Sequence, residues 1–431
     1  MLRYLRVGRL LLPAVLAAGS LAAQDTVRLG SLHIAATEHD PRVRQLALHA
    51  AAAEARLRSL GTERLPQLRV TADATRQSEV PSLPLSLPGG MTPPVPPRDH
   101  YQVRGEVEQR VYDGGALARR REIERARLAE AQAEVGAALF GVREEVNQAF
   151  FGALVLQAQL AELATLEADL EARLAQARVR VREGAALRGQ AYTVEAELLR
   201  ARQQRAELEA NRRASLALLA ALTGRRIGAA DVLVAPSLAA EVARASEDAA
   251  GRPERAVFGA RRERLRREAA LAGSRGRPQV QAFGQVGVGR PGLDQFRRDV
   301  HEFWILGVRM RWAPWDWGVV RREQQVIGLQ QQVVDTEEEA FARRVRRSTL
   351  DEVETMQRLE STLESDDALV SLRERIAREA LTRFGEGVIT AAEYVDVRND
   401  VQEARVVRER HRVELAHARA RYLTTLGVDL P

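Results

Sequence analysis

The sequence predicts a mostly α-helical protein with a small β part, in which long coiled-coil helical hairpins and pairs of strands are duplicated in tandem. Three observations support this fold class. Aromatic residues make up only 4% of the chain while Ala, Leu, Arg and Glu dominate, a composition typical of long helices. Landmark residues recur at a constant offset of about half the chain, and four short segments alternate apolar and polar residues with period two.

Residues 1–23 are predicted to be a secretory signal peptide. Arg3, Arg6 and Arg9 precede an apolar run that ends in small residues, which suit signal cleavage. Loss of these three arginines lowers the formal net charge from +6 to +3, a balance that does not favour a nucleic-acid partner. The chain contains no Cys, so we expect neither a disulfide framework nor a thiolate metal site.

An internal duplication organises the chain. Gly115 and Gly318 each end an aromatic-Asp-x-Gly stretch and are 203 residues apart, whereas Pro41 and Pro253, further upstream, are 212 residues apart. The difference of nine residues falls between Pro66 and Gly115, where a change in length predicts a surface loop. The predicted organisation is a first structural repeat at residues 25–224, a linker at 225–252 and a second structural repeat at 253–427.

Each repeat ends in a predicted helical hairpin, at residues 116–223 and 319–426. The first arm of each hairpin contains no Pro and spans about 100 Å at 1.5 Å per residue, so these helices must stack or coil on others. Spacings of three and four residues mark an apolar seam in the first hairpin. Its members are Leu156, Leu160, Leu163, Leu170, Leu174, Ala177 and Val181 in one arm, and Leu187, Ala191, Val194, Leu198, Ala201 and Leu208 in the other.

Two polar residues, Glu167 and Arg205, interrupt this seam. They could pair across the hairpin or set its register, and both roles are structural. An ordinary dimeric coiled coil explains the helical part of the sequence equally well.

The strand hairpins at residues 66–112 and 278–315 carry the evidence for a membrane. In the last of the four strands, Trp304 and Trp312 bound an apolar face that extends about 26 Å. Aromatic girdles around an apolar band of about 25 Å are typical of outer-membrane barrel strands, and Trp315 extends this girdle. The alternative is a Trp cluster that covers the core of a small soluble hairpin.

The number of strands predicts an oligomer. No segment after the signal peptide reads as apolar over the length of a membrane-spanning helix, so we expect any insertion to occur through strands. Four strands are too few to close a barrel around a water-filled lumen, for which small single-chain barrels need about eight. Because open strand edges are not tolerated in lipid, several copies must share one barrel.

The order and repetition of these features resemble the outer-membrane efflux protein family, the TolC-like outer-membrane factors, over about residues 25–427. The features that carry the resemblance are the strand start Leu65-Pro66-Gln67-Leu68, the aromatic-Asp-x-Gly stretches, the tip glycines Gly184 and Gly387, and the closing glycines Gly224 and Gly427. The resemblance implies a homotrimer with one shared 12-stranded transmembrane β-barrel in outer-membrane lipid. An α-barrel would continue it into the periplasm, with the linker at an equatorial belt.

The function implied by the resemblance is that of an exit duct, a passive conduit in a tripartite efflux pump or a type I secretion system. The implied partners are a periplasmic adaptor, also called a membrane fusion protein, and an inner-membrane transporter that supplies the energy. The adaptor would dock at the tips of the helical hairpins, where the pore would also be gated. The tip residues are Gly184, Leu187, Gly385, Gly387, Val388, Ile389 and Thr390.

Glu393 and Asp396 follow the second tip and are the candidates for the gate and its selectivity. They are three residues apart and therefore on one helix face, where several copies would form an acidic ring that favours cations. Thr390 and Glu393 also match a capping box, a structural role that leaves Asp396 unexplained.

No catalytic residue, metal site or cofactor is predicted. The seven histidines are scattered, without a His-Glu-x-x-His pair, and the acidic residues lie on helices where charges usually face solvent or a neighbouring helix. The sequence therefore predicts a channel and not an enzyme. The alternative is a soluble periplasmic coiled-coil adaptor or tethering protein, against which the two strand-containing repeats argue.

Overall fold

The computed structural model of the protein describes residues 26–81, 95–245 and 251–431. The predicted signal peptide at 1–23 lies outside the described residues, as do 82–94 in the first strand-hairpin loop and 246–250 in the predicted linker. In the first half of the chain the elements are β1 (Thr26–Val27), α1 (Leu29–His39), α2 (Val43–Thr62), β2 (Gln67–Arg76), β3 (Asp99–Tyr112), α3 (Ala116–Arg182) and α4 (Arg188–Thr223). In the second half they are β4 (Val232–Leu233), α5 (Ala239–Arg244), α6 (Glu254–Ser274), β5 (Gln279–Arg290), β6 (His301–Arg311), α7 (Val319–Gly385) and α8 (Ala391–Leu426).

The four long strands form one antiparallel sheet in the order β2-β3-β5-β6. Its register brings the apolar side chains of all four strands onto one face. Pairs on this face are Leu68–Val107, Val103–Val288, Val286–Trp304 and Ala282–Val308. The face is bare in the single chain, since Leu306 and Val308 are 77% and 72% exposed.

The opposite face of the sheet is polar. Arg104 pairs there with Asp73 at 3.4 Å, and the Gln285 amide donates to Glu106 at 2.9 Å. Phe283 is also on this face, beneath the Arg309 guanidinium at 4.7 Å. The sheet is thus amphipathic as predicted, although its polar face contains more aromatic surface than the sequence pattern suggested.

The aromatic-Asp-x-Gly stretches are the N-terminal caps of the two long helices. The Asp113 carboxylate accepts hydrogen bonds from the backbone N–H groups of Gly115 and Leu117, at 2.9 and 2.6 Å. Asp316 does the same in the second repeat for Gly318 and Val320, at 2.9 Å each. Gly115 and Gly318 have φ angles of 86° and 76°, in the left-handed region that glycine adopts without strain. The motif therefore turns the chain from strand into helix.

The two helical hairpins repeat each other in their bounds. α3 and α7 each contain 67 residues, and α4 and α8 each contain 36. In the first hairpin, Leu163, Leu170 and Leu174 of α3 pack with Val194 and Leu198 of α4, as the seam predicts.

The prediction that Leu187 belongs to the seam is wrong. Leu187 is 77% exposed at the tip, where it is the residue before α4. Glu167 is nearly buried and pairs with Arg205 across the hairpin at 3.1 Å, which confirms that the two polar residues in the seam meet. The ion pair gives the buried carboxylate the partner that it needs in an apolar seam.

The packing of α1 and the pairing of β1 with β4, near the middle of the long helices, were not predicted from the sequence. α1 packs on α3 and α4 through Leu29, Leu32 and other apolar residues, and β1 pairs in parallel with β4 of the predicted linker. His33 of α1 donates to the side chain of Asn147 at 2.8 Å. Burial lowers the pKa of His33 to about 4, so its ring is neutral at pH 7.

One apolar segment differs from the expectation. Helix α3 contains a stretch with the length and apolar composition of a spanning helix. Part of that stretch is buried inside the protein, and α3 contributes Phe150, Phe151 and Leu154 to the largest apolar cluster. We interpret α3 as a core helix of the helical part.

Candidate functional site

The tips of the two helical hairpins have the same backbone geometry. Gly184 and Gly387 have φ angles of 73° and 75°, which end α3 and α7 in the left-handed region. The following residues fold back, because the N–H groups of Ala185 and Val388 donate to the carbonyls five residues earlier, each at 2.8 Å. A tight glycine turn of this kind reverses each hairpin within a few residues.

The predicted docking residues lie together at these turns but differ in exposure. Leu187 and Val388 are 77% and 68% exposed, while Ile389 packs beside the apolar cluster of the hairpins. Gly385 is the last residue of α7, and Thr390 is the cap of α8. Each tip therefore presents one large apolar side chain to its surroundings.

Thr390 and Glu393 form the capping box that the sequence suggested. The Thr390 hydroxyl accepts from the backbone N–H of Glu393 at 3.2 Å, and the Glu393 carboxylate accepts from the backbone N–H of Thr390 at 2.7 Å. The Thr390 N–H and hydroxyl, which donate to the carboxylate, lower the pKa of Glu393 from its ordinary value. Glu393 is thus tied to the helix start, a role that is independent of any gate.

Asp396, one helical turn further, is exposed. Within the part of the chain that the structure describes, no hydrogen bond or ion pair involves its carboxylate. Its negative charge is therefore free to act on ions or on groups of another chain at this face of α8.

A second polar group near the tips was not predicted. The Tyr394 hydroxyl donates to Asp169 of α3 at 3.0 Å, and Arg398 forms an ion pair with the same carboxylate at 2.9 Å. Arg173 lies 3.5 Å from Asp169 on the other side. Tyr394 is almost fully buried and stacks on Phe384 with ring centroids 5.0 Å apart. Burial, followed by the charge of Asp169, raises the pKa of Tyr394, so its hydroxyl keeps the proton that it donates.

These contacts join the two helical hairpins to each other. Asp169 belongs to the first hairpin, and Tyr394 and Arg398 belong to the second. Asn399 of α8 also donates to Glu197 of α4 at 3.0 Å. We call Asp169, Tyr394 and Arg398 the inter-hairpin lock. At 1.5 Å per residue, Asp169 is about 20 Å along α3 from the tip at Gly184.

The residues of the predicted aromatic girdle lie in β6 and directly after it. Trp304 is 73% exposed at one end of this face. Trp312 follows β6 and donates its indole N–H to the carbonyl of Gly276 at 3.2 Å, and Trp315 stands edge-on to Trp317. A Trp side chain suits the border of an apolar layer, because its ring is apolar and its indole N–H is a polar donor.

Among the described residues, the outer strands β2 and β6 have a partner on one side only. Their outward N–H and C=O groups continue the hydrogen-bond pattern of the sheet without a strand to receive them. Together with the bare apolar face, these edges make the sheet of one chain incomplete in water and in lipid alike.

Comparison with known proteins agrees with this geometry. Residues 34–225 match a family model described as outer membrane efflux protein. The chain is similar in structure to the outer membrane protein VceC of Vibrio cholerae, at 15% identity and a TM-score of 0.62, over 94% of this chain and 97% of that one. It is also similar to the open state of the MtrE outer membrane channel of Neisseria gonorrhoeae, at 18% identity and a TM-score of 0.63, over 94% and 89%.

A third similar structure is CusC, at 13% identity and a TM-score of 0.66, over 93% of this chain and 92% of that one. Identities this low establish the fold alone. No curated protein sequence matches the chain significantly. The resemblance and the fold class expected from the sequence are confirmed.

The capping box predicts a local dependence on pH. Because the folded pKa of Glu393 is lowered, the box stabilises the start of α8 above the unfolded pKa of about 4.3, and this stabilisation is lost as the pH falls through the folded value. We expect amide-exchange protection in the first turn of α8 to decrease severalfold as the pH falls below that unfolded value. Thr390→Val should lower the protection at pH 7 and remove most of the pH step.

The first turn of α4 is the internal control, because Leu187 makes no side-chain cap there. It should show no such step. An equal pH step in both helix starts would mean that the box does not cause it.

Proposed function

We propose that the chain is a member of the outer membrane efflux protein family, whose model residues 34–225 match, and that it is the exit duct of a tripartite efflux pump or of a type I secretion system. It is an outer-membrane efflux channel protein that extends into the periplasm. The proposal is that it acts as a passive conduit, that the helix tips gate it, and that the driving energy comes from an inner-membrane transporter reached through a periplasmic adaptor.

The observation that carries the proposal is the incomplete amphipathic sheet attached to helices of about 100 Å. Lipid would cover the apolar face of the sheet, and the strands of further copies would pair with the backbone groups of both edges. Two copies would give eight strands, a barrel just wide enough to be filled by side chains, whereas three give twelve strands and room for a lumen. We therefore propose a homotrimer with the polar face of the sheet towards the lumen.

The helix tips suit the docking of the adaptor. Leu187 and Val388 each expose a large apolar side chain at the end of a rigid helical hairpin. Such side chains fit apolar pockets on a partner better than they fit water. Gly184 and Gly387 keep the two turns narrow, so the tips can insert between elements of an adaptor.

The inter-hairpin lock supports gating at the same end. A pore bounded by helices widens when one hairpin moves away from its neighbour. In this chain such a movement must break the contacts of Asp169 with Tyr394 and Arg398. Charged hydrogen bonds of this type are discrete contacts that are either made or broken, which suits a two-state gate.

The first test concerns the membrane. Leu306→Arg puts a charge on the apolar face, where it costs about 2–4 kcal/mol near the middle of a bilayer. We expect much less detergent-extracted oligomer in the outer-membrane fraction. Ile305→Arg adds the same charge on the neighbouring position of β6, which faces the other side of the sheet, and should leave the oligomer largely intact.

The adaptor or tether alternative gives the opposite pattern. In that case wild-type protein and both variants would be recovered in the soluble periplasmic fraction without detergent.

The second test concerns the lock. Tyr394→Phe removes the hydroxyl that contacts Asp169 but keeps the ring stacked on Phe384. We expect a higher mean conductance in planar-bilayer recordings, because the closed arrangement loses a hydrogen bond to a charged group. Tyr192→Phe is the control, since Tyr192 is 64% exposed near the first tip. Unchanged conductance for Tyr394→Phe would exclude the lock from the gate.

The third test concerns selectivity. In a trimer, Glu393 and Asp396 would supply six carboxylates around the pore mouth. We expect Asp396→Asn to weaken cation selectivity, measured as the reversal potential in a salt gradient. Glu393→Gln also disturbs the cap, so Thr390→Val, which disturbs the cap without removing a charge, is its control. If neither Asp396→Asn nor Glu393→Gln changes the reversal potential, neither acidic residue contributes to the selectivity of the pore.

A further inference from the structure

Helix α6 shows how one repeat packs on the other inside the chain. It lies between α3 of the first repeat and α7 of its own repeat. Its contact with α3 is ionic, because Arg261 and Arg264 both reach Glu130, at 3.2 and 2.5 Å, and Arg267 reaches Glu122 at 3.4 Å. The strands follow the same order, since β3 of the first repeat pairs with β5 of the second.

The equivalent helix of the first repeat, α2, has only one such neighbour. It packs on α3 of its own repeat and makes no comparably extensive contact with a second long helix among the described elements. The offset of 212 residues relates Arg261, Arg264 and Arg267 of α6 to His49, Ala52 and Ala55 of α2. Both alanines are exposed. The surface that carries three arginines on α6 therefore carries one histidine and two small alanines on α2.

Helix α7 carries a matching bare face. The offset of 203 residues relates Ile123, Ala126 and Glu130 of α3 to Val326, Leu329 and Val333 of α7. Ile123 and Ala126 are 4% and 8% exposed where α3 runs between α2 and α6. Their counterparts on α7, together with Val333, are each 54% exposed. The position of the acidic Glu130 is thus occupied by the apolar Val333 on α7. The position of its basic partner Arg264 is likewise occupied by Ala52 on α2.

From these correspondences we propose that α2 of a second copy of this chain packs on Val326, Leu329 and Val333 of α7, along an apolar seam that replaces the ionic seam found inside the chain. The proposal rests on the homo-oligomer of the proposed function. The duplication identifies α2 as the helix that covers this face of α7. In the chain α6 packs on α3, and α2 and α7 are the equivalents of α6 and α3 in the other repeats. The same neighbouring copy would bring its β2 to the free edge of β6, just as β5 meets β3.

The two kinds of seam also determine which repeats can be neighbours. An α6 placed on the α7 of another copy would bring the half-buried Arg264 against Val333, so that it loses the carboxylate of Glu130 and keeps only that of Glu268 on its own helix. An α2 placed on the α3 of another copy would leave Glu130 against Ala52. Removing one partner of a buried ion pair is strongly unfavourable. The ionic and apolar seams therefore favour a ring of helices in which first and second repeats alternate.

A cross-linking experiment tests the seam, and the absence of Cys from the chain makes introduced thiols unique. Ala52→Cys combined with Val333→Cys should give covalent oligomers when outer membranes are treated with a short bismaleimide, and each single variant should give none. The template pair, Glu130→Cys with Arg264→Cys, should be linked within one chain and give no oligomer. Arg264→Cys with Val333→Cys, the excluded neighbours between copies, should give no covalent oligomer, although α6 and α7 of one chain are close enough to be linked internally.

The outcomes separate the seam from the oligomer. A native oligomer that persists while the pair at 52 and 333 gives no covalent oligomer overturns the seam and leaves the proposed function in place. A native protein that is monomeric in every fraction overturns the proposed function. The largest covalent species counts the copies independently, and we expect it to contain three.

A charge exchange provides the second measurement. Val333→Glu alone should reduce the amount of native oligomer, because it buries an unpaired carboxylate in the seam. Val333→Glu with Ala52→Arg should restore it, because the pair then reproduces Glu130 and Arg264. If Ala52→Arg does not improve on Val333→Glu alone, α2 and α7 are not neighbours across the oligomer.

Discussion

The rest of the structure depends on the free edges of a four-stranded sheet. In the described part of the chain, β2 and β6 each lack one neighbouring strand, and the apolar face between them is bare. Backbone groups that find no water in lipid must pair with other strands, so in a membrane this sheet requires the closed barrel that we propose. This requirement also places the long helices side by side, because each strand pair leads through an Asp-capped glycine turn directly into α3 or α7. The helical part therefore inherits its arrangement from the sheet.

The two repeats share a backbone plan but differ in the chemistry of their contacts. Glu63 pairs with Arg120 at 2.9 Å in the first repeat, and at the equivalent places Arg275 pairs with Glu323 at 2.5 Å in the second. The signs are exchanged, so each short helix ends in a charge that is matched by an opposite charge on the long helix of its own repeat. A duplicated chain needs such differences, because two identical repeats could also assemble in a wrong order.

Much of the fold could be predicted from the sequence because it is encoded locally. Period-two alternation indicates strands such as β6, and heptad spacing places Leu170 and Val194 in one seam. The missed features depend on residues far apart in the chain. Helix α1 is short and is held by a core built from α3, α4 and α8. The lock joins Asp169 to Tyr394, 225 residues away, and neither residue belongs to a motif. Tyr394 gave a local signal, as an aromatic residue in the first turn of α8.

The acidic residues of the tip show why a motif alone does not assign a role. Glu393 is fully accounted for by the cap of α8, whereas Asp396 is exposed and unpaired among the described residues. The first hairpin has the same glycine turn but no side-chain cap, so its second arm starts without that anchor. Since the lock residues Tyr394 and Arg398 follow directly after the capped start, the box also fixes the position from which they reach Asp169. The second hairpin is therefore the more rigid of the two at its tip, and we expect gate opening to displace it as a unit.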